Sequence, residues 1–261
     1  MHRVSETTTS SGYIVEDHPA IHIMHGKLSD KALSDALEYL EGLKESDLLD
    51  ISENNLLFKK YNGELQYRVD YWHPLMQGYC KELEKAVSEY VQHCADPLNL
   101  PKFRGVLDRT ILIDSCWALK MNIHDYLPMH THQTLSKTGV GTVSYLKLPE
   151  KLLDPNNPDR PENCKYHQYA VVPGGLTFSW SGINSFNMED DVAPTNLRHI
   201  YPKLGEFWIF PKHLHHLGTP YQHEGERWSI SSDWSVLLPD ENQQYGLGGH
   251  SLLQAKEQGF K

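Results

Sequence analysis

Residues 110–123 read TILIDSCWALKMNI and residues 142–148 read TVSYLKL, and these two stretches set the texture of the chain's second half. Each is a short apolar run rich in β-branched and aromatic residues, bounded by turn formers, which is the pattern of a strand. Similar runs recur at 169–172, 176–180, 206–210 and 228–238. Between them lie DPNNPDRPENC at 154–164, VPGG at 172–175 and WSGIN at 180–184, whose Pro, Gly, Asn and Asp residues turn the chain. Helical periods do not alternate with these strands, so the expectation is an antiparallel sandwich or jelly roll rather than a βαβ sheet.

Upstream of this stretch, residues 13–24 read as one strand and Ser29 stands where a helix N-cap should be. The segment DKALSDALEYLEGLKES (30–46) then places Leu33, Ala36, Leu37, Leu40 and Leu43 on one stripe. A second amphipathic helix is expected over 74–94, carrying Leu75, Met76, Tyr79, Leu83, Val87 and Val91 on one side; Asp96-Pro97 ends it. The predicted class is mainly β within α+β. Residues 1–104 form a strand-and-helix support region of the same domain, 105–238 form the β core, and 239–261 form a C-terminal tail. The Ser/Thr-rich first residues read as a mobile terminus.

With 261 residues, 39% hydrophobic and 22% charged, the chain has material for a substantial core. Its 34 acidic against 24 basic residues leave a net charge of −10, which repels a phosphate backbone and argues against a nucleic-acid partner. The 4 cysteines form no Cys-x-x-Cys pair. No apolar stretch approaches the ~18 residues of a membrane span, and the first residues lack a signal-peptide apolar region. A cytoplasmic protein without a membrane partner is therefore expected.

The 16 histidines are the unusual count. His124, His130 and His132 cluster in NIHDYLPMHTHQ, and His213, His215 and His216 cluster in FPKHLHHLGTP. Residues two apart on a strand share a face, so His130 and His132 can grip one metal ion, with His216 the best placed third ligand. By the same alternation His215 should face away. Downstream, Arg227 and Ser229 share a strand face; a guanidinium fork followed by a hydroxyl suits a carboxylate. The plainer alternative for Arg227 is a surface ion pair with Glu224 or Glu226.

Taken together these residues resemble the 2-oxoglutarate- and Fe(II)-dependent oxygenases. The resemblance covers about 105–238 and follows one order: Trp117, then His130-Thr131-His132, then the Val143-Ser144-Tyr145-Leu146 strand. Phe210-Pro211 with His216 and Pro220 comes next, and last Glu226-Arg227-Trp228-Ser229-Ile230-Ser231. It implies a double-stranded β-helix, a form of jelly roll, with Fe(II) held by His130 and His216 and the distal carboxylate of 2-oxoglutarate held by Arg227 and Ser229. Tyr145 is expected on the site wall. The family's third ligand is a carboxylate, where this chain has His132; either His132 or, less favoured, Asp125 completes the set. The stretch QTLSKTGVG (133–141) is longer than the family pattern and suggests a lip beside the site.

The implied activity is dioxygenation: 2-oxoglutarate is converted to succinate and carbon dioxide while dioxygen is used to hydroxylate an unactivated C–H bond. The implied partner is a small molecule or a peptide side chain, with 150–204 as candidate rim and the N-terminal helices as support, lid or homodimer contact. Two other readings share the same residues. One is a cupin-like three-histidine metalloenzyme that does not use 2-oxoglutarate, and the other is a non-catalytic jelly-roll binding module.

Overall fold

Within the Ser/Thr-rich start, expected to be mobile, Ser5–Thr8 form a strand. In the computed structural model, which describes residues 5–18, 21–48, 65–95, 110–132, 134–136, 138–158, 160, 163, 172–180, 197–220 and 223–237, β1 (Ser5–Thr8) pairs antiparallel with β2 (Ile14–His18). Thr9 closes the connection, because its hydroxyl and amide both engage Tyr13. The single strand expected over 13–24 is two strands, β2 and β3 (Ile21–Lys27), in a hairpin that aligns Ile14 with His25.

Helix α1 (Asp30–Glu41) begins as expected, with the Ser29 hydroxyl accepting from Ala32 N at 3.2 Å. It stops short of residue 46, because Gly42 returns its N–H to the Glu38 and Tyr39 carbonyls and a 3₁₀ turn (Glu45–Asp47) follows. A 3₁₀ turn at Pro74–Met76 leads into α2 (Gln77–Ala95), and the Glu82 carboxylate of α2 accepts from Ser29 N at 2.9 Å, tying the two helices together.

The remaining strands are β4 (Leu65–Arg68), β5 (Thr110–Met121), β6 (Leu127–His130), β7 (Gly139–Lys147), β8 (Leu176–Ser179), β9 (Leu197–Ile200), β10 (Glu206–Pro211), β11 (His215–Gly218) and β12 (Arg227–Leu237), with the short helix α3 (Glu150–Leu153) between β7 and β8. They form an eight-stranded sheet ordered β1-β2-β3-β10-β7-β12-β5-β4 and a four-stranded sheet ordered β6-β11-β8-β9. All pairings are antiparallel, so the fold is the expected jelly-roll type. The strand expected at 169–172 and the tail 239–261 lie outside the described residues, apart from Val172, which is not in a strand.

Two apolar cores follow from this layering. On one side of the large sheet Leu40, Met76, Tyr79, Leu83 and Val87 of the helical segments pack on Phe207, Ile209, Ile230 and Trp234. Between the sheets Val143, Tyr145, Trp208 and Phe210 meet Leu176, Phe178 and Ile200. Strand β10 shows the division residue by residue: Phe207 and Ile209 serve the helix side, Trp208 and Phe210 the inter-sheet side. No helix among the described residues is long and apolar enough to cross a membrane.

Candidate metal centre and carboxylate socket

Strand β12 is buried along its whole length, yet its sequence RWSISSDWSVL is not that of an ordinary core strand. Trp228, Ile230 and Trp234 face the helices, whereas Arg227, Ser229, Ser231 and Asp233 face the inter-sheet space. Buried polar groups are costly unless they are partnered or used, so a polar stripe on a central strand marks where the fold gives up packing.

One end of that space holds histidines. β6 and β11 pair so that His130 lies opposite His216, with ring centroids 4.2 Å apart. His132 lies just beyond the end of β6, not within it; its backbone N–H donates to the Lys212 carbonyl at 2.8 Å, which brings its ring beside the other two. One nitrogen from each of His130, His132 and His216 lies within 4.8 Å of the others.

Hydrogen bonds decide which nitrogens these are. His130 Nδ1 meets the Pro128 carbonyl at 2.7 Å and His216 Nδ1 meets the Leu214 carbonyl at 2.9 Å; a carbonyl only accepts, so each Nδ1 carries the proton. His132 Nδ1 faces the Asp233 carboxylate. All three Nε2 atoms therefore present lone pairs, and those of His132 and His216 confront each other at 2.9 Å. Two facing lone pairs repel unless a cation joins them. Burial, then the neighbouring rings, push the His216 pKa well below the usual histidine range, and burial pushes that of His130 down to about 4, so both rings favour the neutral form in which histidine ligates a metal. The donor set fits a divalent transition metal.

Asp125 sits elsewhere. Its carboxylate accepts from Asn122 N at 2.7 Å and closes the turn before β6, and His124 in that turn has a positive φ of 70°. His215 is exposed beside buried His216.

Along the stripe from the histidines lies the socket. Arg227 is only 3% exposed. It donates from Nη1 to the Gly174 carbonyl at 2.6 Å, contacts Met121 Sδ through Nη2, and lies over the Tyr145 ring, 5.7 Å from its centroid. Glu226 instead pairs with Lys120 at 2.6 Å and with Lys147 at 3.5 Å. The Ser229 hydroxyl is buried with no hydrogen-bond partner among the described residues, which marks it as a donor aimed at something else. Burial pushes the Tyr145 phenol up to about 12, so the ring stays neutral in the wall.

The histidines, Arg227, Ser229 and Tyr145 line one pocket with Leu127, Val143, Leu176 and Phe210. Gly218 is part of this wall, and a Cβ there would press within 3.0 Å of Leu127. Where a lip was expected at 133–141, the described residues 134–136 are anchored: Leu135 N donates to Asp114 at 2.8 Å, Ser136 N to Ser235 Oγ at 2.9 Å, and Lys212 Nζ to Thr134 Oγ1 at 2.9 Å. The Leu135 side chain is 61% exposed. Asp114 can reach it because β5 bulges there: the ladder steps from Ser115↔Asp233 to Ile113↔Trp234 and skips Asp114.

Asp233 and Asp114 escaped the sequence reading. An available signal was the acidic residue inside the run 228–238, since aspartate is depleted in strands and a buried one needs a partner.

Compared with known proteins, residues 115–233 match the family described as "Putative 2OG-Fe(II) oxygenase". No curated protein sequence matches the chain. Among solved structures, a Pseudomonas putida prolyl-4-hydroxylase is similar over 82% of this chain and 92% of its own, at 15% identity and a TM-score of 0.50. A Trichoplax adhaerens prolyl hydroxylase solved with a hypoxia inducible factor peptide fragment covers 85% of this chain and 86% of its own, at 13% identity and a TM-score of 0.48. HygX from Streptomyces hygroscopicus, solved with nickel and 2-oxoglutarate bound, covers 82% of each chain, at 12% identity and a TM-score of 0.42.

Proposed function

We propose that this chain, whose residues 115–233 match the 2OG-Fe(II) oxygenases, is a hydroxylase of that superfamily, acting on a C–H bond of a small molecule or peptide side chain and releasing succinate and carbon dioxide. The observation that carries the reading is the shared inner face of the pocket, with three Nε2 lone pairs at one end and a buried guanidinium beside an orphaned hydroxyl at the other. His130, His132 and His216 would hold Fe(II), and Arg227 with Ser229 would hold the distal carboxylate of 2-oxoglutarate. Dioxygen would be the oxidant, reduced jointly by 2-oxoglutarate and the C–H bond, and the bound metal would supply its activation, which no side chain here can.

The protein's own share is positioning and exclusion. The Nδ1 hydrogen bonds to Pro128, Leu214 and Asp233 keep each ring in the metal-binding tautomer and fix its plane before any ligand arrives. Arg227 is preordered by the Gly174 carbonyl and the Tyr145 face, so a carboxylate meets a charge that does not have to reorganise. Leu127, Val143, Leu176 and Phe210 keep water from the pocket and strengthen every electrostatic contact inside it.

Anaerobic titration with Fe(II) and then 2-oxoglutarate tests this reading. A visible metal-to-ligand charge-transfer band should appear with 2-oxoglutarate and be absent in His216→Ala. Metal uptake without that band would favour a three-histidine cupin chemistry, and no metal uptake by folded protein would leave a binding module.

A further inference from the structure

The three rings are not equivalent. His130 and His216 each lean on a neutral backbone carbonyl, whereas His132 leans on a carboxylate. Asp233 is 7% exposed and is fixed on both sides, lying opposite Ser115 of β5 and Gly141 of β7. Ser115 Oγ donates to its second oxygen at 3.1 Å. Gly141 leaves the room this contact needs: a Cβ there would lie 3.1 Å from His132 Nδ1 and 2.8 Å from the Phe210 ring. The carboxylate thus sits across the imidazole from the nitrogen that faces the other two histidines.

A carboxylate that accepts the Nδ1 proton draws it away from the ring and makes Nε2 a stronger donor, giving the imidazole partial imidazolate character. We propose that Asp233 is a positioning and charge-supplying residue for the metal centre, delivering through the His132 ring the negative charge that three neutral histidines lack. This rests on His130, His132 and His216 being the metal ligands, as proposed above. It turns the replacement of a carboxylate ligand by His132 into a relay: the ion still has one acidic partner, one ring removed. Ser115 holds the second carboxylate oxygen and keeps the first pointed at His132.

The test compares metal binding by wild type, Asp233→Asn and Ser115→Ala, using anaerobic Co(II) calorimetry and the Co(II) d–d absorption bands, neither of which needs turnover. Asparagine keeps the size and an accepting oxygen but removes the charge. The expected result is Co(II) affinity about 10–100-fold weaker in Asp233→Asn, with shifted d–d bands, and a smaller loss in Ser115→Ala. Wild-type affinity and unshifted bands in folded Asp233→Asn would overturn the role of Asp233 alone. Absence of Co(II) uptake by wild type would instead overturn the metal centre and this inference with it. Should Asp233→Asn not fold, Zn(II)-loaded wild type labelled with ¹⁵N-histidine decides. The His132 Nδ1 proton should resonate furthest downfield of the three, and a position level with the two carbonyl-bonded rings would refute the relay.

Discussion

The two faces of β12 are equally buried and chemically opposite. On the helix side Trp228, Ile230 and Trp234 lock into a core with α1 and α2; on the other side Arg227, Ser229, Ser231 and Asp233 stand in a row between the sheets. The first face gains free energy from removing apolar area from water, and the second spends part of it keeping polar groups dry. A strand held on both edges by β5 and β7 can bear that cost, because its position does not depend on its inner side chains.

The sharpest way to separate the faces is to damage each alone. Trp234→Ala should cost about 3–5 kcal/mol of folding stability by opening a cavity against the helices, while protein that remains folded binds Fe(II) as before. Urea unfolding with metal titration of the folded fraction checks both parts. Arg227→Met should act mainly on binding: removal of a buried cation offsets part of the loss of its hydrogen bond to the Gly174 carbonyl, so stability changes by less than in Trp234→Ala. Affinity for 2-oxoglutarate should fall by roughly 10–150-fold, the worth of a charge-assisted hydrogen bond of ~1.5–3 kcal/mol, read from the charge-transfer band. If both variants lost stability alike, the contrast between the faces would be wrong.

Acid should act on the polar side. Burial holds His130 down to about 4 against an ordinary value of 6.5, so on acidification the unfolded chain takes up this proton before the folded one does. The contribution is neutral above about pH 6.5, and stability of the metal-free protein then falls progressively down to about pH 4. Urea midpoints across that range should drop less steeply in His130→Asn. The smallest effect belongs to Ser229→Ala. Removing a hydroxyl that has no partner among the described residues should leave stability unchanged or slightly higher, and 2-oxoglutarate binding should weaken by roughly 2–12-fold, for about 0.5–1.5 kcal/mol.

Much of this was legible in advance, and for identifiable reasons. The long β5, β7 and β12 are strongly patterned, and their predicted bounds fall within a few residues of those observed. The short β1, β4 and β9, of 4 residues each, escaped because they carry no apolar run, whereas the equally short β8 is an apolar run bounded by Gly174-Gly175, and β6 and β11 were legible only through the alternation of their histidines. For the site, the histidine pair was read as one strand's face, yet β6 ends at His130 and it is the contact with Lys212 that turns His132 inward. Asp125, the less favoured third ligand by sequence, closes a turn instead.

By itself the sequence determined the residue types available for chemistry and the strand texture that carries them, because both are written in local pattern. Only the tertiary structure decided that Asp233 stands behind His132, a partner 101 positions away, and that Arg227 is buried over Tyr145 rather than paired at the surface. Those pairings are set by sheet register, where a shift of one residue would send the whole polar stripe of β12 to the helix side.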